Sequence, residues 1–151
     1  MDEPGEMTEA EEAAWCAERR EDAIRYLAKQ GIKHGGLGGE PEWSLAPYVS
    51  VWAVGSLKAP GSVGWWVICG DLPTDYCSSA PYRSARWAVR AIAESWKVAA
   101  ANVRPWDETI ADSGLPASLA PLLASRAELL LEWTDDPDIW DGMGSRLPAN
   151  L

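Results

Sequence analysis

Two neighbouring segments of the chain, residues 48–54 and 63–69, are largely apolar at both odd and even positions. Successive side chains of a strand point to opposite faces of a sheet, so both faces of these segments should be covered. Pro60-Gly61 lies between them and suits the centre of a type II turn, where Gly supplies a positive φ. The pattern predicts an antiparallel hairpin over about residues 47–69.

Hydrophobic residues at three- and four-residue spacing predict helices over about residues 8–30, 82–102 and 116–134. Thr8 and Glu11 have the spacing of a capping box at the start of the first helix. Pro121 should lie in the first turn of the third helix, because a proline further inside would remove a hydrogen bond.

A lone hairpin is marginally stable in water, so helices or further strands must complete the layer. We therefore predict an α+β fold over residues 1–151, with a small antiparallel sheet packed by the three helices. A short extended piece over residues 43–46 precedes the hairpin, and a loop follows it over residues 71–80. Residues 31–42 are rich in glycine and should connect helix to sheet close to other backbone. Residues 1–7 and about 135–151 show no period and are expected to be irregular ends.

Tryptophan dominates the aromatic residues: the chain has ten Trp, four Tyr and no Phe. A buried tryptophan usually needs an acceptor for its indole N–H, and half-exposed tryptophans are common at interfaces. The sequence therefore predicts a core of large flat side chains, with some of them available to a groove or a partner.

The formal net charge is −10, and the acidic residues concentrate near the two ends of the chain. Nucleic acid is an unexpected partner, because phosphate binding requires clustered Lys and Arg. A basic protein partner is compatible with this charge, and so is a simple solubilising role for the acidic ends.

The chain has three cysteines, no basic or apolar leader and no apolar run of about 20 residues. We interpret these as features of a cytoplasmic protein with free thiols. We expect no membrane association. His34 is the only histidine, and with three scattered cysteines it gives no metal-ligand spacing. We therefore expect neither a metal site nor a cofactor.

The polar segment over residues 70–76 is the first candidate for chemistry, since it carries Asp71 and Asp75 close together. Paired carboxylates can perform acid–base chemistry or bind a divalent cation. They can equally be turn residues that accept hydrogen bonds from nearby backbone. Arg83, Arg86 and Arg90 of the second helix could hold an anion or pair with these two acids, and we expect the pairing. A small-molecule pocket at this segment would be formed by His34, Trp52, Trp66, Asp71, Asp75 and Tyr76.

Several short strings resemble an uncharacterised family of small bacterial proteins, a domain of unknown function. They are YL at 26–27, QGI at 30–32, HG at 34–35, APYVSVWA at 46–53 and GWWVICGDLPTDY at 64–76. The last string fits the signature GWWVI-x-GD-x-PTDY. The resemblance covers about residues 24–100 and implies no particular reaction. It implies that an acid common at position 55 is replaced here by Gly55, and that the two ends, residues 1–20 and 105–151, are particular to this chain.

These features favour a non-enzymatic interaction domain, most simply a bacterial immunity protein that blocks a basic toxin with acidic and aromatic side chains. The alternative is a small-molecule-binding domain or enzyme with a pocket at residues 70–76. The residues expected to contact a protein partner are Asp135, Asp136, Asp138, Trp140, Asp141, Glu11 and Glu12.

Overall fold

A computed structural model describes residues 7–80, 82–111 and 113–141 of the chain. The elements in order are α1 (Glu9–Lys29), β1 (Trp43–Leu45), β2 (Val49–Gly55), β3 (Val63–Gly70), β4 (Leu72–Ser78), α2 (Ala85–Ala101), a 3-10 turn (Ala117–Leu119), α3 (Ala120–Asp135) and α4 (Pro137–Asp141). Within these described residues, the strands form one antiparallel sheet in the order β1-β2-β3-β4. The predicted α+β class is confirmed.

The predicted hairpin is β2 and β3, with Trp52 opposite Val67 at its centre. Its turn is closed by a hydrogen bond from the Ser62 amide to the Ala59 carbonyl at 3.0 Å. Gly61 has φ +91°, as the second central position of a type II turn requires. The short strand β1 confirms the extended piece expected before Pro47.

The expected loop over residues 71–80 is wrong, because β4 occupies most of it and pairs with β3. Asp and Pro are poor strand residues, and this composition had favoured a loop. However, β4 is the edge strand of the sheet, and an edge tolerates a proline such as Pro73 because one side needs no ladder hydrogen bonds. Most of the segment predicted as a loop is therefore the fourth strand of the sheet.

The sheet is covered on both faces, as the two-sided apolar pattern predicted. On one face α1 contributes Ala23 and Leu27, and on the other α2, α3 and α4 pack against the sheet. The α1 side buries Trp52, Val54, Val67 and Cys69. The opposite side buries the larger cluster, which includes Trp43, Val49, Val51, Trp66, Ile68, Trp96 and Trp140.

Helix starts follow local capping chemistry. The capping box of α1 is formed: the Glu11 amide donates to Thr8 Oγ1 at 3.1 Å, and the Thr8 amide donates to Glu11 Oε1 at 2.9 Å. The second helix begins at Ala85, later than predicted, because the Ser84 hydroxyl caps it by accepting from the Trp87 amide. Pro121 lies in the first turn of α3, as expected.

The glycine-rich connector runs alongside the end of β2, as predicted. The Gly35 amide donates to the Gly55 carbonyl at 2.9 Å, and the Gly55 amide donates to the Gly36 carbonyl at 2.8 Å. Leu37 then forms an isolated bridge with Val54. The connector thus satisfies backbone groups at this end of the sheet.

The irregular tail expected from residue 135 onward is wrong over the part that is described, where α4 follows α3 almost directly. Residues 1–6 and 142–151 lie outside the described residues. The Trp140 ring stacks on Trp43, with ring centroids 3.9 Å apart and an interplanar angle of 15°. Its indole N–H donates to the Trp133 carbonyl at 2.8 Å. These contacts hold the tail against β1.

Replacing Trp140 with alanine should lower the free energy of unfolding by about 3–5 kcal/mol, the usual cost of removing a large buried aromatic side chain. Trp140 is 2% exposed, whereas Trp106 is 73% exposed. The matched Trp106→Ala variant should therefore lose less than about 1 kcal/mol, including its contact with Arg104. Urea denaturation measures both, and equal losses would contradict the assigned packing.

Gly70→Ala should cost at least about 2 kcal/mol of unfolding free energy, because Gly70 has φ +145° and strain at such positions costs about 1–3 kcal/mol. An added Cβ would also lie 3.0 Å from the Tyr48 carbonyl carbon, and closer still to its oxygen. The control is Gly39→Ala, where a Cβ would meet no heavy atom within 4 Å. Thermal unfolding should separate the two variants clearly.

Candidate functional site

The six residues of the predicted small-molecule pocket do not share one cavity. Trp52 and Trp66 lie on opposite faces of the sheet, in the α1-side and α2-side clusters. Both indoles are buried, and their N–H groups donate to Ser50 Oγ at 3.0 Å and to the Tyr82 carbonyl at 2.8 Å. Trp52 is fully buried in the core, and Trp66, which is 2% exposed, lines a different cavity together with Val63 and Tyr82.

His34 and Asp71 do not line the cavity that contains Asp75, and they do not form a site with each other. The Nδ1 atom of His34 accepts a hydrogen bond from the Gly36 amide at 2.9 Å, within its own loop. Asp71 is exposed in the turn before β4, where Arg126 of α3 approaches its carboxylate at 3.4 Å and donates to its carbonyl at 2.8 Å. Asp71 is a structural residue of that turn.

The expected pairing of α2 arginines with the two acids is wrong for Arg86 and Arg90. Arg86 donates to the Thr134 carbonyl at 2.8 Å, and Arg90 pairs with Asp135 at 2.7 Å. These side chains therefore bind the end of α3. The sequence indicated the charges, but the direction of α2 relative to α3 decided the partners.

Asp75 and Tyr76 do meet in a cavity, at the edge strand β4. The Oδ2 atom of Asp75 accepts from the Trp96 indole N–H at 2.8 Å, and Oδ1 accepts from the Tyr76 amide at 2.8 Å. The Tyr26 hydroxyl lies 3.5 Å from Oδ1. The cavity has a volume of about 280 Å³. Sequence reasoning had missed Tyr26 and Trp96 as members of this site.

Ionisation of the neighbouring groups is suppressed. Burial, and then the Asp75 charge, raise the pKa of Tyr26 above its usual value. The same two causes raise the pKa of Cys77 to about 12. The phenol of Tyr26 therefore remains a hydrogen-bond donor near neutral pH, and Cys77 has too little thiolate to act as a nucleophile.

A second concave feature lies between the first half of α1 and residues 39–44, and we call it the acidic groove. It has a volume of about 590 Å³ and is lined by Glu9, Glu12, Glu40 and Cys16, among others. Burial is the main cause that raises the pKa of the Cys16 thiol, and Glu12 and Glu40 raise it further. Glu12 had been predicted as a contact residue, whereas Glu11 is engaged in the capping box.

The tail residues do not form the exposed aromatic surface that the sequence suggested. Trp140 is buried, so its prediction as a partner contact is wrong. Asp135 pairs with Arg90, and Asp136 accepts from the Asp138 amide at 3.0 Å. Asp141 belongs to α4, but its side chain lies outside the described part of the structure.

Among residues 7–80, 82–111 and 113–141, no group of three or more His, Cys, Asp or Glu side chains is placed to hold a metal ion. Over the same ranges, none of the helices has the length and apolar character needed to cross a bilayer.

Raising the pH above about 9 should destabilise the protein. The ordinary pKa of Cys77 is 9.0 and its folded value is about 12, so the unfolded chain loses this proton first. The stabilising contribution is fully present below pH 9 and falls as the pH rises toward 12. Urea denaturation at pH 8 and pH 10, with a reductant present, should show the loss, and Cys77→Ser should show a smaller one. Identical pH slopes for both proteins would exclude this role of Cys77.

Comparison with known proteins gives a family without an assigned activity. No curated protein and no solved structure matches the chain. A family profile matches residues 9–140. The expectation that residues 1–20 and 105–151 are particular to this chain is therefore wrong over 9–20 and 105–140. The chain belongs to the family described as Domain of unknown function (DUF4826).

Proposed function

We propose that this protein is a non-enzymatic interaction domain that takes a basic segment of a partner protein into the acidic groove. The observation that carries the proposal is that Glu40 of the connector lines the same cavity as Glu9 and Glu12 of α1. All three side chains are exposed, and none of the described residues along the groove is basic.

Acids in the first turn of α1 have a structural explanation of their own, because they interact favourably with the helix dipole. That explanation does not extend to Glu40, which comes from the connector. Bringing a third carboxylate to the same concavity adds repulsion to the free protein. A Lys or Arg side chain of a partner would relieve that repulsion, and the field of the groove would speed its association.

The finer proposal is that the partner is a bacterial toxin whose basic active site this domain blocks, as an immunity protein does. The chain carries a net charge of −10, which supports electrostatic steering toward a basic enzyme. The groove, rather than the α4 tail, provides the main contact surface in this proposal.

The groove is tested by neutralising two of its acids and comparing a matched pair elsewhere on α1. Glu9→Gln combined with Glu12→Gln should weaken capture of a basic partner at least about tenfold, as the loss of close interfacial charge pairs does. Glu18→Gln combined with Glu21→Gln makes the same change in net charge on exposed α1 residues outside the groove. That control should change affinity by less than about threefold, and binding should weaken with added salt.

Partner capture from source-cell lysate, followed by calorimetry with the purified partner, provides the measurement. Equal effects of the two double variants would contradict the groove as the contact surface. For the toxin proposal, expression of the partner alone should arrest growth, and co-expression with this chain should restore it. A partner that is harmless by itself would rule out the immunity role while leaving the interaction domain in place.

A further inference from the structure

The cavity at Asp75 is a separate feature from the acidic groove, and it combines a carboxylate with aromatic walls. Asp75 takes part in no ion pair with a Lys or Arg among the described residues; its recorded partners are the Trp96 indole, the Tyr76 amide and the Tyr26 hydroxyl. These donors are neutral. The cavity therefore keeps a negative charge that its described walls leave uncompensated.

The donors also fix the orientation of the carboxylate. Each oxygen accepts one hydrogen bond at 2.8 Å, from Tyr76 to Oδ1 and from Trp96 to Oδ2. A carboxylate oxygen can accept more than one hydrogen bond, so acceptor capacity remains. A cationic donor that enters the cavity would thus meet an acceptor already held in place, which reduces the entropic cost of binding.

Aromatic rings line the same space. Tyr26 and Tyr76 are packed edge to face, with ring centroids 5.9 Å apart, and Trp96 completes the wall on the α2 side. The faces of aromatic rings attract cations, and aromatic cages recognise alkylated ammonium groups. Trp96 presents its N–H edge to Asp75, so Tyr26 and Tyr76 are the rings available for such contacts. The hydroxyl-bearing Thr74 and Ser95 also line the cavity and provide polar contacts for the rest of a ligand.

The volume limits the size of the ligand. At about 280 Å³, the cavity is smaller than the ~300–1,000 Å³ of typical pockets for drug-sized molecules. A compound of a few carbon atoms around one charged nitrogen fits entirely within this space.

We propose that the cavity formed by Asp75, Tyr26, Tyr76 and Trp96 is a binding site for a small organic cation of the ammonium class. The carboxylate supplies the opposite charge, the two tyrosine rings supply aromatic contacts, and the volume suits a ligand of a few heavy atoms. This inference is independent of the partner-binding proposal, because it concerns the sheet edge and none of the groove residues.

The probes are choline, 1-butylamine and 3,3-dimethylbutan-1-ol, the last being an uncharged carbon analogue of choline. Binding to the full chain is followed by the nuclear magnetic resonance shift of the Trp96 indole N–H, assigned with Trp96→Phe. We expect at least one of the two cations to shift this resonance saturably. The uncharged alcohol should bind at least about tenfold more weakly, because it lacks the charge that Asp75 and the rings recognise.

Asp75→Asn keeps the size of the side chain, removes its charge and should weaken cation binding at least about tenfold. The matched control is Asp71→Asn, which removes an acid just before the same strand and outside the cavity; it should change affinity by less than about twofold. If Asp75→Asn fails to fold, the comparison of choline with its alcohol analogue on the unmodified protein still decides. Absence of a shift with both cations, equal binding of the alcohol, or unchanged affinity in a folded Asp75→Asn would overturn the proposal.

Discussion

The rest of the structure depends on a hairpin that is apolar on both faces. In β2, residues such as Val51 and Trp52 point to opposite sides, and neither side can face water without a large cost. Burial at both faces requires two helical layers, which α1 and the α2–α3 pair provide. The added strands β1 and β4 extend the surface on which those layers rest. Two hydrophobic clusters in one small fold are therefore a direct consequence of the hairpin.

Within these layers, the indole N–H groups of Trp43, Trp66 and Trp96 connect segments that are distant in the sequence. A buried indole N–H needs a hydrogen-bond acceptor, and each of the following rings donates to a carbonyl, hydroxyl or carboxylate oxygen. These hydrogen bonds run from Trp43 to the Ile139 carbonyl, from Trp52 to the Ser50 hydroxyl, from Trp66 to the Tyr82 carbonyl, from Trp96 to the Asp75 carboxylate and from Trp140 to the Trp133 carbonyl. Trp43 and Trp140 also stack on one another. The tail is thereby fixed against the first strand of the sheet.

Both candidate sites lie where segments far apart in the sequence meet. The acidic groove joins the start of α1 to Glu40 of the connector. The Asp75 cavity joins α1, β4 and α2 at an edge of the sheet, where Tyr26 and Trp96 reach the same carboxylate from opposite layers. An edge strand is accessible from both sides, so it is a natural place for a site that draws on two layers. Members of this family can be compared at these two places.

The sequence by itself determined the elements whose causes are local. The α+β class, the hairpin turn at Pro60-Gly61 and the Thr8 capping box depend on neighbouring residues, and all three were predicted correctly. Only the tertiary structure decided that residues 72–78 pair as a strand, that Trp140 is buried and that Asp75 meets Trp96 rather than an arginine. Strand pairing and side-chain partners depend on contacts between distant segments, and the spacing of residues along the chain does not encode their relative orientation.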